Sequence, residues 1–420
     1  MALICEAGQF AGPAGNAEQT VTLNNFTGVT PKIVLLWSSL QTSNAITTTA
    51  VILLGVATSS TEEMSTEMQD LDAQASSVVS RVKTIANCIL ATTSTETEAF
   101  KASFNSFGDN QFTLTWDGNV GVNGQLINYF VIGGDELTNA KALQFSCPTT
   151  TDSAYEVTGV GFQPDCVLFI NTGLTDDPHF STTVNMCIGA FDGTSQWAVG
   201  TRSVDAQAAS VVQEAQVTDA CVILINNDTT FFTYASGVSL DTDGFTLNFS
   251  TQGAAAIDVF AICLKGGQYK VGNGVADTST GTEAYTGVGF QPSGILFTGW
   301  NAAASASVAQ DSSIFFGGTS GATQNFVTSY AVQDAQDTTN ANRAIDNTKC
   351  IKVLSHNPAV VAEADLDSFD ADGFTLDWTT ADETARQFLY LAMGSAEVVE
   401  AVAEDEDLII GGYLFNEEMI

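Results

Sequence analysis

Hydrophobic positions in this chain fall in short runs, and the runs predict strands. Segments rich in Val, Ile, Phe, Tyr and Thr are separated by clusters of Gly, Asn, Asp and Pro along the whole length, the pattern of β-structure broken by turns. In the middle third the runs predict strands at 142–145, 155–159, 167–170, 183–190, 197–202, 221–225, 231–235, 245–249 and 259–264. About nine short strands are enough for two packed sheets. Three runs do not alternate: Val34-Leu35-Leu36, Val167-Leu168-Phe169 and Ile295-Leu296-Phe297. They read as central strands covered on both faces. Residues 75–82 and 208–217 are rich in Ala, Ser and Val and fit strand, loop or one helical turn, since Ser and Val are weak helix formers. Asp243-Gly244 and Asp372-Gly373 predict hairpin turns feeding a strand. The first third has Asp109-Asn110 there, a turn made without glycine.

The same landmarks return three times. Pro31, Pro164 and Pro292 each precede a short apolar run. Asp-Ala-Gln recurs at Asp72–Gln74, Asp205–Gln207 and Asp334–Gln336. A cysteine recurs at Cys88, Cys221 and Cys350, and Phe-Thr-Leu at Phe112, Phe245 and Phe374. The spacing is about 130 residues, and the four landmarks keep register with one another to within one residue. A unit of that size can enclose a core of its own, unlike a solenoid repeat. The expected fold is therefore all-β: three tandem, related β-sandwich domains, jelly-roll-like, at residues 1–136, 137–267 and 268–397, followed by a tail at 398–420. The joints between units are short, which predicts a rigid rod or a compact three-lobed body.

Charge narrows the partners. Asp and Glu number 48 against 12 Lys and Arg, a formal net charge of −36. Such a chain repels phosphate backbones and anionic lipid surfaces, so neither nucleic acid nor membrane is an expected partner. The N-terminal MALICEAGQF carries no basic segment and meets Glu6 early, so no secretory signal peptide is expected. The eight cysteines include no C-x-x-C pair. Cys88, Cys221 and Cys350 occupy one position in three units and read as buried free thiols of a protein made in a reducing compartment.

Candidate chemistry is sparse. The two histidines, His179 and His356, do not share a repeat position, and no nucleophile elbow, zinc-protease motif, phosphate loop or dinucleotide fingerprint is present. The chain is not expected to be an enzyme or to carry a cofactor. Asp-Ala-Gln could hold a ligand in each unit; its triplication points instead to a shared structural role, with Asp closing a turn and Gln bonding nearby backbone. Asp241-Thr242-Asp243-Gly244 and Asp370-Ala371-Asp372-Gly373 open like calcium loops but lack the later ligands, and hairpin turns are the better reading. Trp116, Phe249 and Trp378 follow Phe-Thr-Leu at one offset. They could form a sugar-stacking platform, but core packing is favoured.

The tail departs from the repeat. Glu397, Glu400, Glu404, Asp405, Glu406 and Asp407 form an acidic spacer ahead of the apolar run LIIGGYLF. The run either folds back on its own third unit or docks on another subunit's sheet. The candidate interaction residues are Leu408, Ile409, Ile410, Tyr413, Leu414 and Phe415.

Gly161–Phe169, Asp243–Phe249 and 262–266, with Gly289–Phe297, Asp372–Trp378 and 390–394, carry a Gly-Phe-Gln-Pro strand entry, an Asp-Gly-Phe-Thr-Leu turn and an aromatic strand ending in Gly. This set resembles a repeat unit in uncharacterised structural proteins of tailed bacteriophages. The first unit matches less well, with Thr27-Gly28-Val29-Thr30 before Pro31. The resemblance implies a virion component, capsid-decorating or tail-associated, made in the host cytoplasm. It implies other virion proteins and further copies of the chain as partners, and it carries no catalytic residue. The alternative is a carbohydrate-binding or adhesive protein whose repeated modules bind glycans with avidity.

Overall fold

The computed structural model describes residues 2–93, 97–117, 123–226, 230–302 and 306–396. The candidate tail residues Leu408, Ile409, Ile410, Tyr413, Leu414 and Phe415 lie outside this set, as do the rest of 398–420. The protein is an all-β sandwich structure. The first unit has eleven strands: β1 Ile4–Ala11, β2 Glu18–Thr22, β3 Pro31–Ser38, β4 Ala45–Thr48, β5 Ala50–Ser59, β6 Glu62–Asp70, β7 Val79–Thr84, β8 Ile89–Thr92, β9 Glu98–Gly108, β10 Gln111–Asp117 and β11 Leu126–Gly133. The same eleven recur in the second and third units. Each unit holds a four-stranded sheet, ordered β2-β10-β9-β8 in the first, against a seven-stranded sheet ordered β1-β11-β3-β5-β6-β7 plus one more strand.

The seventh strand is foreign. His179–Ser181 of the second unit pairs with β7 of the first. Ala306–Gln310 of the third pairs with Val212–Val217 of the second. β4 of the first pairs with Ala341–Asp346 of the third. Each unit thus lends its fourth strand to a neighbour, and the loans close a ring with a pseudo-threefold axis. A rod is thereby excluded; the three lobes are interlocked. The hydrophobic pattern predicts the nine other strands of the second unit, gives no sign of His179–Ser181, and leaves Val212–Val217 open among strand, loop and helical turn. Both lie at the exchange. A strand of three half-buried residues has no period to read, and its partner edge belongs to another unit.

The unalternating runs follow from this arrangement. Val34 and Leu36 face the unit's own core with Phe112, Leu114 and Trp116. Ile33, Leu35 and Trp37 face the other way, into one core shared with Leu168 and Ile170 of the second unit and Leu296 of the third. Trp37 meets Phe316 edge to face at 5.3 Å between ring centres, and Trp197 Nε1 donates to the Tyr390 carbonyl at 2.9 Å. Each seven-stranded sheet is therefore apolar on both faces.

Within the sandwiches, paired positions trade volume. Gly8 lies opposite Tyr129, Leu143 opposite Ala261 and Gly272 opposite Tyr390, so a small residue always faces a large one. Glu63, Gln196 and Asn325 occupy one position, and each accepts the backbone N–H at a β-bulge, from Phe104 (2.6 Å), Gly237 (2.7 Å) and Leu366 (3.1 Å). The recurring cysteine marks a close approach. Cys88, Cys221 and Cys350 lay their carbonyls over Gly55, Gly189 and Gly317, where an added Cβ would fall 1.8, 1.8 and 2.0 Å from that oxygen. Each thiol lies on a carbonyl fourteen residues on, that of Ala102, Ala235 or Ala364. Glycine is required there by space, not by dihedral freedom. Gly189→Ala should cost about 2–3 kcal/mol by overpacking, whereas Gly321→Ala, whose Cβ would meet nothing nearer than 3.9 Å, should change stability by about 0.5 kcal/mol or less. Urea unfolding of the two variants checks this; equal midpoints would refute the close approach.

Candidate functional site

Of the recurring motifs, one sits where units meet, while the cysteine and Phe-Thr-Leu stay in the separate cores. Asp-Ala-Gln forms a clasp on the neighbouring unit. At the second-to-first junction, Ala206 N donates to Ser77 O at 2.9 Å and Ser77 N returns a bond to Gln207 O at 2.9 Å. Gln207 N donates to Ser77 Oγ at 2.9 Å, Ser77 Oγ to Val204 O at 2.6 Å, and Val79 N to Asp205 Oδ1 at 2.9 Å. Asp334–Gln336 grips Ser210 and Val212 in the same way, and Asp72–Gln74 grips Thr339 and Ala341. Ala73, Ala206 and Ala335 take positive φ near 55°, at 56°, 56° and 54°, a left-handed turn that presents successive N–H groups. Gln Nε2 bonds its own Asp carbonyl, as the sequence suggested. The Asp carboxylate does not close a local turn; it satisfies an N–H of the adjacent unit. The clasped residues Ser77, Ser210 and Thr339 supply a hydroxyl five residues after each Asp, a recurrence in register that marks them in the sequence.

Below the clasps the junctions bury polar groups. Asp70 of the first unit accepts hydrogen bonds from Ser203 Oγ of the second and Tyr330 Oη of the third, joining all three inside the shared core. One junction position takes three chemistries. Lys83 Nζ meets Asp258 Oδ2 at 2.7 Å, both buried, with Gln144 Oε1 at 2.8 Å. Its counterpart Gln216 donates to Gln387 Oε1 at 3.1 Å. At the third junction the corresponding positions hold Ile345 and Leu126. Removing one partner of a buried ion pair leaves the other charge unmet, whereas replacing both by apolar groups is tolerated. Lys83→Ile should therefore cost about 3–5 kcal/mol, and Lys83→Ile with Asp258→Leu should recover most of it. Denaturant melts of single and double variants decide; a double variant no more stable than the single would refute the comparison.

Four buried carboxyls sit well above their ordinary range because burial penalises the charge. Asp70 is pushed up to about 6, against the opposing hydrogen bonds from Ser203 and Tyr330. Glu63 and Glu67 are each raised to about 7, and Glu214 to about 8. All four protonate more readily folded than unfolded. The stability this linkage confers is full below about pH 4 and is lost as pH rises through 6 to 8. Asp243, Asp346 and Asp382 shift the other way and weaken the fold only in stronger acid. The melting temperature should rise by at least ~2 °C on going from pH 8.5 to 5.5, and Glu67→Gln with Glu214→Gln should flatten that slope. A melting temperature that falls over this interval would contradict the assignment.

The other candidates have structural employment. Trp116, Phe249 and Trp378 are core residues, 2%, 0% and 1% exposed, and present no face to a sugar. Asp243 accepts from Gly159 and Gly161, and Asp372 from Gly287 and Gly289; Asp241 and Asp370 accept from side-chain hydroxyls of Ser239 and Thr246, and of Ser368 and Thr375. Asp241 and Asp370 brace their own hairpins, and Asp243 and Asp372 tie the hairpin turn to the loop after the adjacent strand. Among the described residues no group of three His, Cys, Asp or Glu is placed to hold a metal ion. His179 lies in the exchanged strand 3.7 Å from Asp176, and His356 lies 3.8 Å from Asp311. All eight cysteines are buried free thiols, and burial holds those of Cys88, Cys221 and Cys350 far above the usual thiol range. No protein-family model matches the chain, and the curated proteins compared with it include none that is similar.

Proposed function

We propose that this protein is a non-enzymatic virion structural subunit, capsid-decorating or tail-associated, made in the host cytoplasm and partnered by other virion proteins and further copies of itself. The observation that carries the reading is the closed cyclic exchange of strands. It makes one chain into a rigid body with pseudo-threefold symmetry, a shape suited to a symmetric position in a larger shell. Its recurrent polar residues serve that closure rather than a reaction. The negative surface would discourage adsorption to DNA during assembly. The glycan-binding alternative loses its aromatic platform, since those rings lie in the cores.

The C-terminal run from Leu408 to Phe415 is proposed as the attachment arm. The described chain ends at Ala396, whose N–H donates to Glu136 Oε2 at 2.8 Å, beside Ser395, which accepts from Leu3 N at 3.0 Å. The chain therefore leaves the described body where the first unit begins and the first and third units end. Electron microscopy of purified particles with a labelled chain should find it on the virion at fixed sites. Deleting residues 408–420 should leave the melting temperature within about 2 °C of the full chain and abolish attachment. Particles that lack the full-length protein would sink the reading; a truncated chain that still attaches would sink only the arm.

A further inference from the structure

The three junctions serve as controls for one another, and one of them differs. Arg81, Glu214 and Arg343 are the third residues of Val79–Thr84, Val212–Val217 and Ala341–Asp346, so each meets the exchanged strand at one geometric position. Arg81 lies against Gly173 and donates from Nη1 to the Thr172 carbonyl. Glu214 accepts from Ser313 N at 2.6 Å. Both are engaged by the neighbouring unit beyond the exchanged strand. Arg343 bonds only the exchanged strand itself, from Nε to Thr47 Oγ1 at 3.2 Å, its single hydrogen bond among the described residues. It lines a cavity of about 560 Å³ between the first and third units, with Gln41, Thr42, Ser43, Thr48 and Gln69. The buried Gln69 Oε1 has no partner. Leu40, also at the wall, takes φ +55° where the second unit has Gly173 at +65°.

We infer that this junction cavity binds a singly charged, hydroxyl-rich ligand of the acidic-sugar class, its carboxylate on Arg343 and its hydroxyls on the Thr, Ser and Gln side chains. Guanidinium matches carboxylate in shape and charge. The volume is that of a small-molecule site. A chain of net charge −36 repels anions at long range, so a polyanion is disfavoured and one carboxylate on a neutral body is accepted. Glu67 attracts Arg343 at longer range, while its Oε2 is occupied by Thr92 N and Oγ1 at 3.0 and 2.6 Å. Glu67 Oε1 is buried without a hydrogen-bond partner, and burial raises its carboxyl; it makes no ion pair with Arg343 within 4 Å among the described residues. The inference goes beyond the virion reading and does not depend on it.

Isothermal titration of the full chain with glucuronate, glucose and acetate tests it. Glucuronate should bind with a millimolar or tighter Kd, and glucose and acetate at least ~10-fold more weakly. That factor corresponds to about 1.4 kcal/mol. Arg343→Gln should lose ~10-fold or more. Thr42→Trp changes an exposed residue at the cavity wall; it leaves Arg343 in place and should lose binding without altering the melting curve. No binding of glucuronate, equal binding of acetate, or full affinity in both variants would each overturn the inference.

Discussion

The structure depends on a sheet that is apolar on both faces and whose β7 edge has no partner within its own unit. Each seven-stranded sheet covers one face with its own four-stranded sheet. The other face, with Ile33, Leu35 and Trp37 in the first unit, has only the corresponding faces of the other two units to bury it. The last edge finds backbone partners only in a neighbour's strand, and an edge left bare would recruit other chains. Shared core and exchanged strand meet both needs together. Burying a large side chain is worth roughly 1.5–3 kcal/mol, and a clasp hydrogen bond about 1 kcal/mol net. The shared core, with some forty residues, supplies the drive to associate, and the clasps fix which backbone meets which.

Much of this was legible in the sequence because it is local. Turn chemistry at Asp243-Gly244, the apolar run at Val167–Phe169 and the buried aromatics after Phe-Thr-Leu each report on a few neighbouring residues. Three registered copies made the reading firmer. The unalternating runs even announced a second buried face, although nothing in them says what covers it. The ring was not legible. His179–Ser181 is too short to show a period, and Asp205 bonds Val79, a residue of another unit. Arg343 and Arg81 look alike in sequence, and only the fold shows that Arg81 is engaged by a carbonyl and Arg343 faces a cavity. Residues whose partners lie a whole unit away leave no local mark.

A ring of like units could close in the wrong order or add a fourth member. The junctions differ enough to prevent it. An ion pair at one, paired amides at the next and aliphatic residues at the third make each seam suited to its own partner, because a lysine set against Leu126 would be a buried charge without a counterion. The node of Asp70, Ser203 and Tyr330 adds a check that needs all three units at once.

Covalent linkage of the three units has a consequence for dilution. A ring of separate protomers would fall apart as its concentration dropped, because every closure would be a third-order event subject to mass action. Here the partners are tethered by joints of a few residues, and each strand meets its neighbour at an effective concentration near millimolar. Closure is therefore unimolecular. A single molecule released into a large volume keeps its shape, and it arrives at any binding site already assembled.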